Sequence, residues 1–278
     1  MSAGQRESGV SLAVPGGPLS VAPAAAVTAD PLRLSLVVPT YNESGNIAEL
    51  LGRLAQQLDP ALGDRYEVII VDDRSPDHTF EEALRLCAVF PRLRVMRRDH
   101  ERGLATAVVR GWQAAQGEVL AVMDADLQHP PEAAPALYAE MERGADLVLA
   151  SRYISGAAVS HRHVGHRLRS RAARLIGLLI LPHVLGRVSD PTSGYFMVRR
   201  SAIQGIEFTP RGYKILIEIL GRGRCASISE VPYVFQERRA GASKDSGRVY
   251  AEYVLHLLRL RSSVTVARAA DAGQASRH

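Results

Sequence analysis

Gly117-Glu118-Val119-Leu120-Ala121-Val122-Met123-Asp124-Ala125-Asp126-Leu127-Gln128-His129-Pro130-Pro131-Glu132 is an apolar run that ends abruptly in acid. Val119–Met123 has the length and character of a strand covered on both faces. The two prolines that follow suit the first turn of a helix, which the pattern carries over Pro131–Arg143. A buried strand tipped with carboxylates and followed by a helix is the repeating unit of a parallel α/β sheet. Such sheets bind ligands beyond the carboxyl ends of their strands.

The units on either side have the same form. Leu34–Val38, Glu67–Val71, Leu93–Met96 and Asp146–Ala150 read as strands, and Asn46–Leu58, Thr79–Phe90 and Leu104–Gln116 as helices. Ile47, Leu50, Leu51, Leu54 and Leu58 fall at helical spacing on the first of these. The alternation predicts an α/β fold with a mostly parallel, doubly wound sheet. Polar clusters stand where the strands end, at Pro39–Glu43, Asp72–Asp77, Asp124–Gln128 and Ser151–Tyr153. Packing alone does not call for four such clusters.

A chain of 278 residues with 46% hydrophobic and 23% charged residues supports one sizeable domain with appendages. Residues 1–32 read as a disordered leader, 33–262 as the catalytic domain and 263–278 as a flexible tail. The net charge of +5 suits an anionic partner but is too small to define one. Cys87 and Cys225 have no metal-type spacing and imply no disulfide framework, so a reducing cytosol is the default. The apolar stretch Leu175–Leu181 ends at Pro182, well short of the ~20 residues that span a bilayer. The start of the chain has no compact apolar core or cleavage site and does not read as a signal peptide.

In an extended chain, alternate residues point the same way, so Asp124, Asp126 and Gln128 would present three oxygens to one hard cation, Mg²⁺ or Mn²⁺. A substrate diphosphate would complete the shell, and the metal would stabilise charge on a leaving nucleoside diphosphate. The alternative is a solvated acidic turn or helix cap. Of Asp72 and Asp73, one can accept from a base or ribose while the other braces the loop, or both are turn residues. Tyr41 can stack on a base and Glu43 can accept from base or sugar, whereas Asn42 and Ser44 also suit a turn or cap.

The ordered stretches PTYNE (39–43), VDDRSPDHT (71–79), GLATAVVRGWQAAQGEVLAVMDADLQHPPE (103–132), SRY (151–153), DPTSGYFMVRR (190–200), GYKILIEIL (212–220) and GASK (241–244) resemble glycosyltransferase family two. Within it they are similar to the dolichyl- or polyprenyl-phosphate mannosyltransferases. The resemblance covers about Leu34 to Arg261 and implies a GT-A type nucleotide-binding sandwich. It implies that Pro39, Tyr41, Glu43, Val71 and Asp73 surround base and ribose. Asp124, Ala125 and Asp126 would lie at the diphosphate and metal, with Gln128 as a further ligand. Arg152, Arg238 and Lys244 match positions that hold phosphate groups, and Asp126, Arg152 and Arg238 are the candidate catalytic residues. Relatives tend to carry an arginine or lysine four residues before the position of Ser170. Here that residue is His166, followed by Arg167, so either of these, with Ser170 and Arg152, is a candidate for the acceptor phosphate.

The implied reaction is inverting transfer of mannose from GDP-mannose to a polyprenyl monophosphate, giving a β-linked product. A UDP-glucose-dependent polyprenyl-phosphate glycosyltransferase is the alternative. A polysaccharide hydroxyl acceptor would require a carboxylate beyond Asp126 that is not evident, and a degenerate binding module is disfavoured by the intact acidic motif. No stacking-aromatic platform suggests nucleic acid. His161–Arg174 is rich in Arg and His and leads into the apolar stretch. It reads as an interfacial helix with Leu168, Ala172, Leu175 and Leu179 on one face and Arg167, Arg171 and Arg174 on another, although a core-packing helix also fits. Val249–Leu260 is a second amphipathic stretch, for which domain packing is the simpler account. Relatives carry transmembrane helices after this domain. Recruitment to the cytoplasmic face of a membrane would then use these segments or a separate anchoring protein.

Overall fold

The computed structural model describes residues 11–12, 20–23, 30–159, 174–209, 214–236 and 253–262. The principal strands are β1 (Leu34–Thr40), β2 (Tyr66–Asp72), β3 (Leu93–Arg97), β4 (Val119–Val122), β5 (Leu147–Ser151), β6 (Phe196–Arg199) and β7 (Ile228–Pro232). The principal helices are α1 (Ile47–Leu62), α2 (Thr79–Leu86), α3 (Leu104–Ala114), α4 (Ala134–Glu142) and α5 (Ile215–Arg222). The order across the eight-stranded sheet is β7-β5-β6-β4-β1-β2-β3, closed at the edge by the two-residue strand Val21–Ala22.

β1 pairs in parallel with both β2 and β4, β2 with β3, and β5 with β7. β6 is antiparallel to both of its neighbours, β4 and β5. The sheet is therefore mixed, as well as mostly parallel. The antiparallel insertion matters for the site, because β6 begins at the edge where the parallel strands end.

β1 and β2 are buried throughout, as a strand covered on both faces must be. The pleat sends Val37, Ile69 and Val71 to one side, where Trp112 of α3, Phe196, Phe208, Leu216 and Leu257 fill the core. Leu36, Val38, Val68 and Ile70 go to the other side, against the apolar stripe of α1 and against Leu137 and Met141 of α4. α3 lies close to the sheet because residue 111 has no side chain. A Cβ there would stand 2.5 Å from Val37 Cγ1 and 2.7 Å from its Cγ2.

Within the stretch 1–32, where no elements were expected, the described residues include two short strands. Val21–Ala22 pairs antiparallel with β3, and Ser11–Leu12 pairs with Glu207–Phe208. Residues 174–180 and 253–262 are helical. They meet where a Cβ on Gly177 would stand 2.7 Å from the Tyr253 hydroxyl. Tyr253, Leu257 and Leu260 are buried while Leu255 and Leu258 are exposed, so residues 253–260, the described part of the second amphipathic stretch, supply both a packing face and an open one. Leu175 and Leu179 are 60% and 73% exposed. Most of the proposed interfacial helix, 161–173, lies outside the described residues. Among those described, no helix is long and apolar enough to cross a membrane.

Candidate active site

Two loops at the tips of β1 and β2 clasp each other. The backbone N–H groups of Asn42, Glu43 and Ser44 donate to Ser75 Oγ, Thr79 Oγ1 and Asp77 Oδ2, each at 3.0 Å. Asn42, Arg74 and His78 adopt left-handed backbone conformations, which set these tight turns. Asp72 is wholly buried and accepts from Thr40 Oγ1 at 3.1 Å, from Ser75 N at 2.9 Å and from Ser75 Oγ. It is thus the member of the Asp72-Asp73 pair that braces the loop.

Asp73 occupies the space between this clasp and the start of α3. Arg98 Nε donates to its Oδ1 at 2.6 Å and Gly103 N to its Oδ2 at 2.8 Å. Burial pushes the Asp73 carboxyl above its ordinary range, against the opposing pull of Arg98 and Gly103. Pro39 and Val71 are buried beside it in β1 and β2. Tyr41 is half-buried, with the Arg102 guanidinium 5.7 Å from its ring centre. Asn46 Nδ2 donates to Glu43 Oε2 at 2.7 Å, which orients that carboxylate at the head of α1.

The acid cluster follows β4, but the chain there is not extended. Residues 125–126 form a turn, Leu127 has φ 60°, and Gln128 N donates to Asp126 Oδ1 at 3.1 Å. The alternation argument for Asp124, Asp126 and Gln128 is therefore wrong in its geometry. The Asp126 carboxylate folds the backbone into an Asx-type turn, which replaces the extended strand that alternation requires. Ala125 and Asp126 are buried and Asp124 keeps 31% of its side chain exposed. Gln128 Nε2 donates to Gln236 O at 3.3 Å, and Gln236 N returns a bond to Gln128 O at 2.9 Å. With its nitrogen so placed, the amide oxygen of Gln128 is its remaining ligand atom.

Two carboxylates and an amide oxygen are ligand types that a hard divalent cation takes. Residue 194 is part of the fit. A Cβ on Gly194 would stand 2.7 Å from Asp124 Oδ2, so the absence of a side chain there makes the room the carboxylate occupies. Among the described residues, no three His, Cys, Asp or Glu side chains gather as a metal site by themselves. A bound metal would thus take the rest of its shell from Gln128 and from substrate.

Arg152, at the tip of β5, is engaged by Asp190. Its Nε and Nη2 donate to Asp190 Oδ2 and Oδ1 at 2.7 and 2.9 Å, and Nη2 also donates to Thr192 Oγ1 at 3.1 Å. Burial would raise the Asp190 carboxyl, but the hydrogen bonds and charge of Arg152 prevail and hold it below its ordinary range. Lys214 Nζ donates to Thr192 O at 2.8 Å beside this pair. Arg152 thus stands at the tip of β5 with its charge already balanced by Asp190. Of the other candidates, His166, Arg167, Ser170, Arg238 and Lys244 lie outside the described residues.

Several residues of the site escaped the sequence reading. His129 follows the acid turn and is buried, with Nε2 3.4 Å from Asp124 Oδ2. Tyr195, Tyr233 and Phe235 surround it at ring-centre distances of 5.8, 5.5 and 5.5 Å. His129 stood inside a quoted motif, but its surroundings come from the residue before β6 and from the chain after β7. Asp190 and Lys214 also stood in quoted stretches without a role.

A mixed sheet whose strand ends carry this clasp, acid turn and basic flank defines a GT-A type α/β sandwich. The chain belongs to glycosyl transferase family 2, whose family model matches residues 35–206. Among its relatives, a protein of Pyrococcus furiosus named dolichol-phosphate mannosyltransferase is 42% identical over 82% of this chain and 64% of its own length. This chain therefore spans less than two thirds of that relative. A Saccharomyces cerevisiae protein of the same name is 34% identical over 82% of this chain and 87% of its own. The polyprenol monophosphomannose synthase of Mycolicibacterium smegmatis is 34% identical over 77% of this chain and 82% of its own. Among solved structures, glucosyl-3-phosphoglycerate synthase from Mycobacterium tuberculosis, in complex with Mn²⁺, UDP-glucose and phosphoglyceric acid, shares the fold. Its TM-score is 0.64 at 23% identity, over 83% of this chain and 80% of that one.

Proposed function

We propose that this protein transfers mannose from GDP-mannose to the phosphate of a polyprenyl monophosphate, with inversion to a β-linked product. The observation that carries the reading is the oxygen-rich turn Asp124–Gln128 at the tip of β4, in a family 2 chain 42% identical to a protein named dolichol-phosphate mannosyltransferase. In this reading the clasped loops carrying Tyr41, Glu43 and Asp73 receive base and ribose, and Pro39 and Val71 form the floor.

Asp124, Asp126 and Gln128 would hold Mg²⁺ or Mn²⁺, which when bound offsets negative charge on the donor diphosphate. The protein's own residues do the positioning. Gly194 leaves room for the Asp124 carboxylate, and the bond from Gln128 N fixes that of Asp126. A phosphate monoester is already anionic near neutral pH, so the acceptor needs no strong general base. One of its oxygens forms a bond to the anomeric carbon as the bond from that carbon to the diphosphate oxygen breaks, and GDP leaves. Arg152, set by Asp190, is assigned to the acceptor phosphate, as are His166, Arg167 and Ser170. Arg238 and Lys244 are assigned to the donor phosphates. Arg238 is two residues beyond Gln236, whose backbone pairs with Gln128.

The acceptor is a lipid, and the reading places the chain peripherally at the cytoplasmic face of a membrane. Leu175 and Leu179, with Leu255 and Leu258, form the apolar surface for that contact, alone or with an anchoring protein. A panel of GDP-mannose, GDP-glucose, UDP-glucose and UDP-galactose, each offered with polyprenyl phosphate, tests the donor assignment. Preferential turnover of GDP-mannose is expected, and preferential turnover of UDP-glucose refutes it.

A further inference from the structure

The mechanism above assigns nothing to His129, yet it is among the most enclosed polar side chains near the acid turn. Its Nε2 lies 3.4 Å from Asp124 Oδ2. Its other nitrogen, Nδ1, is buried with no hydrogen-bond partner among the described residues. Tyr195, Tyr233 and Phe235 pack around the ring and fix its plane. A proton on Nδ1 would bury an unpaired donor, whereas a proton on Nε2 faces a carboxylate oxygen. These surroundings assign the proton to Nε2. Gly194 closes the arrangement from the opposite side, since a Cβ there would stand 2.7 Å from Asp124 Oδ2 and 3.2 Å from His129 Nε2.

We infer that His129 is a positioning residue, which holds one oxygen of Asp124 through Nε2–H in the notch left by Gly194 and so presents the carboxylate to the donor's metal. This rests on the function proposed above. The aromatic box supplies rigidity, since it keeps the imidazole from turning away from Asp124 Oδ2. Hydrogen-bond partners of metal-ligating carboxylates typically change metal affinity by about 10- to 100-fold when removed. The 3.4 Å separation is that of an electrostatic contact and not of a close hydrogen bond, which places His129 at the lower end, about tenfold.

The test is titration of the full chain with GDP, once in Mn²⁺ and once in EDTA, beside Mn²⁺ binding followed by electron paramagnetic resonance. His129→Phe keeps a ring in the aromatic box and removes the N–H, while His129→Gln returns a donor. Expected for His129→Phe is an approximately tenfold loss of Mn²⁺ affinity and of Mn²⁺-dependent GDP affinity, with the EDTA value unchanged. His129→Gln should recover most of the loss. Gly194→Ala, whose Cβ would crowd the Asp124 oxygen at 2.7 Å and the His129 Nε2 at 3.2 Å, should show the same selective loss and tests the notch if His129→Phe does not fold. Metal-dependent binding in the parent chain together with unchanged binding in the variants overturns this inference alone. So does a loss that is equal with and without metal, the mark of a merely structural role. Metal-independent GDP binding by the parent chain overturns both this inference and the metal-dependent function on which it rests.

Discussion

Replacing Asp190 by Asn removes one charge from a buried pair while keeping the side chain's size. The carboxylate accepts from Arg152 Nε at 2.7 Å, Arg152 Nη2 at 2.9 Å and Thr192 Oγ1 at 3.1 Å. Breaking a buried ion pair from one side costs about 3–5 kcal/mol, most of it the penalty of the charge left behind. The Arg152 side chain retains 16% exposure, so water relieves part of that penalty and the expected loss is about 3 kcal/mol. For a domain of this size that lowers the midpoint of thermal unfolding by roughly 6–12 °C. The pH dependence follows from the direction of the Asp190 shift. Burial favours the neutral acid, but Arg152 outweighs it and holds the folded carboxyl below its unfolded value of about 3.9. The contribution is complete above that pH and drains away as pH falls through the folded value. Urea unfolding of the parent and Asp190→Asn chains should therefore differ by a constant amount between pH 5 and 8, and converge below about pH 4. A difference under about 1 kcal/mol at pH 7, or one that persists unchanged into acid, refutes the claim that this pair is a stabilising clasp.

Three further outcomes follow. Asp126→Ala should reduce kcat/KM for GDP-mannose by at least about 100-fold, because it removes a carboxylate ligand and the bond that shapes the turn at Gln128; near-parental kinetics would contradict the donor site. Gly111→Ala should cost about 1–3 kcal/mol in denaturant unfolding, since the new methyl meets Val37 Cγ1 at 2.5 Å in a packed layer, and no loss would mean that α3 and the sheet can separate freely. The double variant Leu179→Ser, Leu258→Ser should fold like the parent, because both side chains are exposed, but float with anionic phosphatidylglycerol vesicles at least tenfold less; equal flotation would remove these leucines from the membrane contact.

Much of the sheet was legible because its strands carry the signal locally. Leu34–Thr40 and Tyr66–Asp72 are unbroken buried runs, and α1 shows its apolar stripe in the spacing of Ile47, Leu50, Leu51, Leu54 and Leu58. Phe196–Arg199 was not legible as an antiparallel strand. It has only four residues, between a turn and a short helix, and its direction is set by distant partners in β4 and β5. Val21–Ala22 is shorter still and owes its form to the open edge of β3. At the candidate site, composition singled out Asp124, Asp126 and Gln128 but implied an extended chain where there is a turn, since nothing in the identity of Leu127 announces its left-handed backbone. Arg152 read as an available cation because Asp190, its counter-charge, is brought to it only by the fold. The box around His129 was hidden for the same reason, assembled from Tyr195, Tyr233 and Phe235 on separate segments.

Metal-dependent glycosyl transfer to a lipid phosphate by a site built on Asp124, Asp126 and Gln128 is the activity proposed for this chain. Its most direct test is incubation of the chain with GDP-mannose labelled in the sugar, polyprenyl monophosphate and Mg²⁺ or Mn²⁺, followed by organic extraction. Label should enter the lipid phase only when the lipid phosphate is present, and chelation with EDTA should abolish it. Transfer that proceeds equally well in EDTA, or a lipid phase without label while the donor binds, would contradict the account.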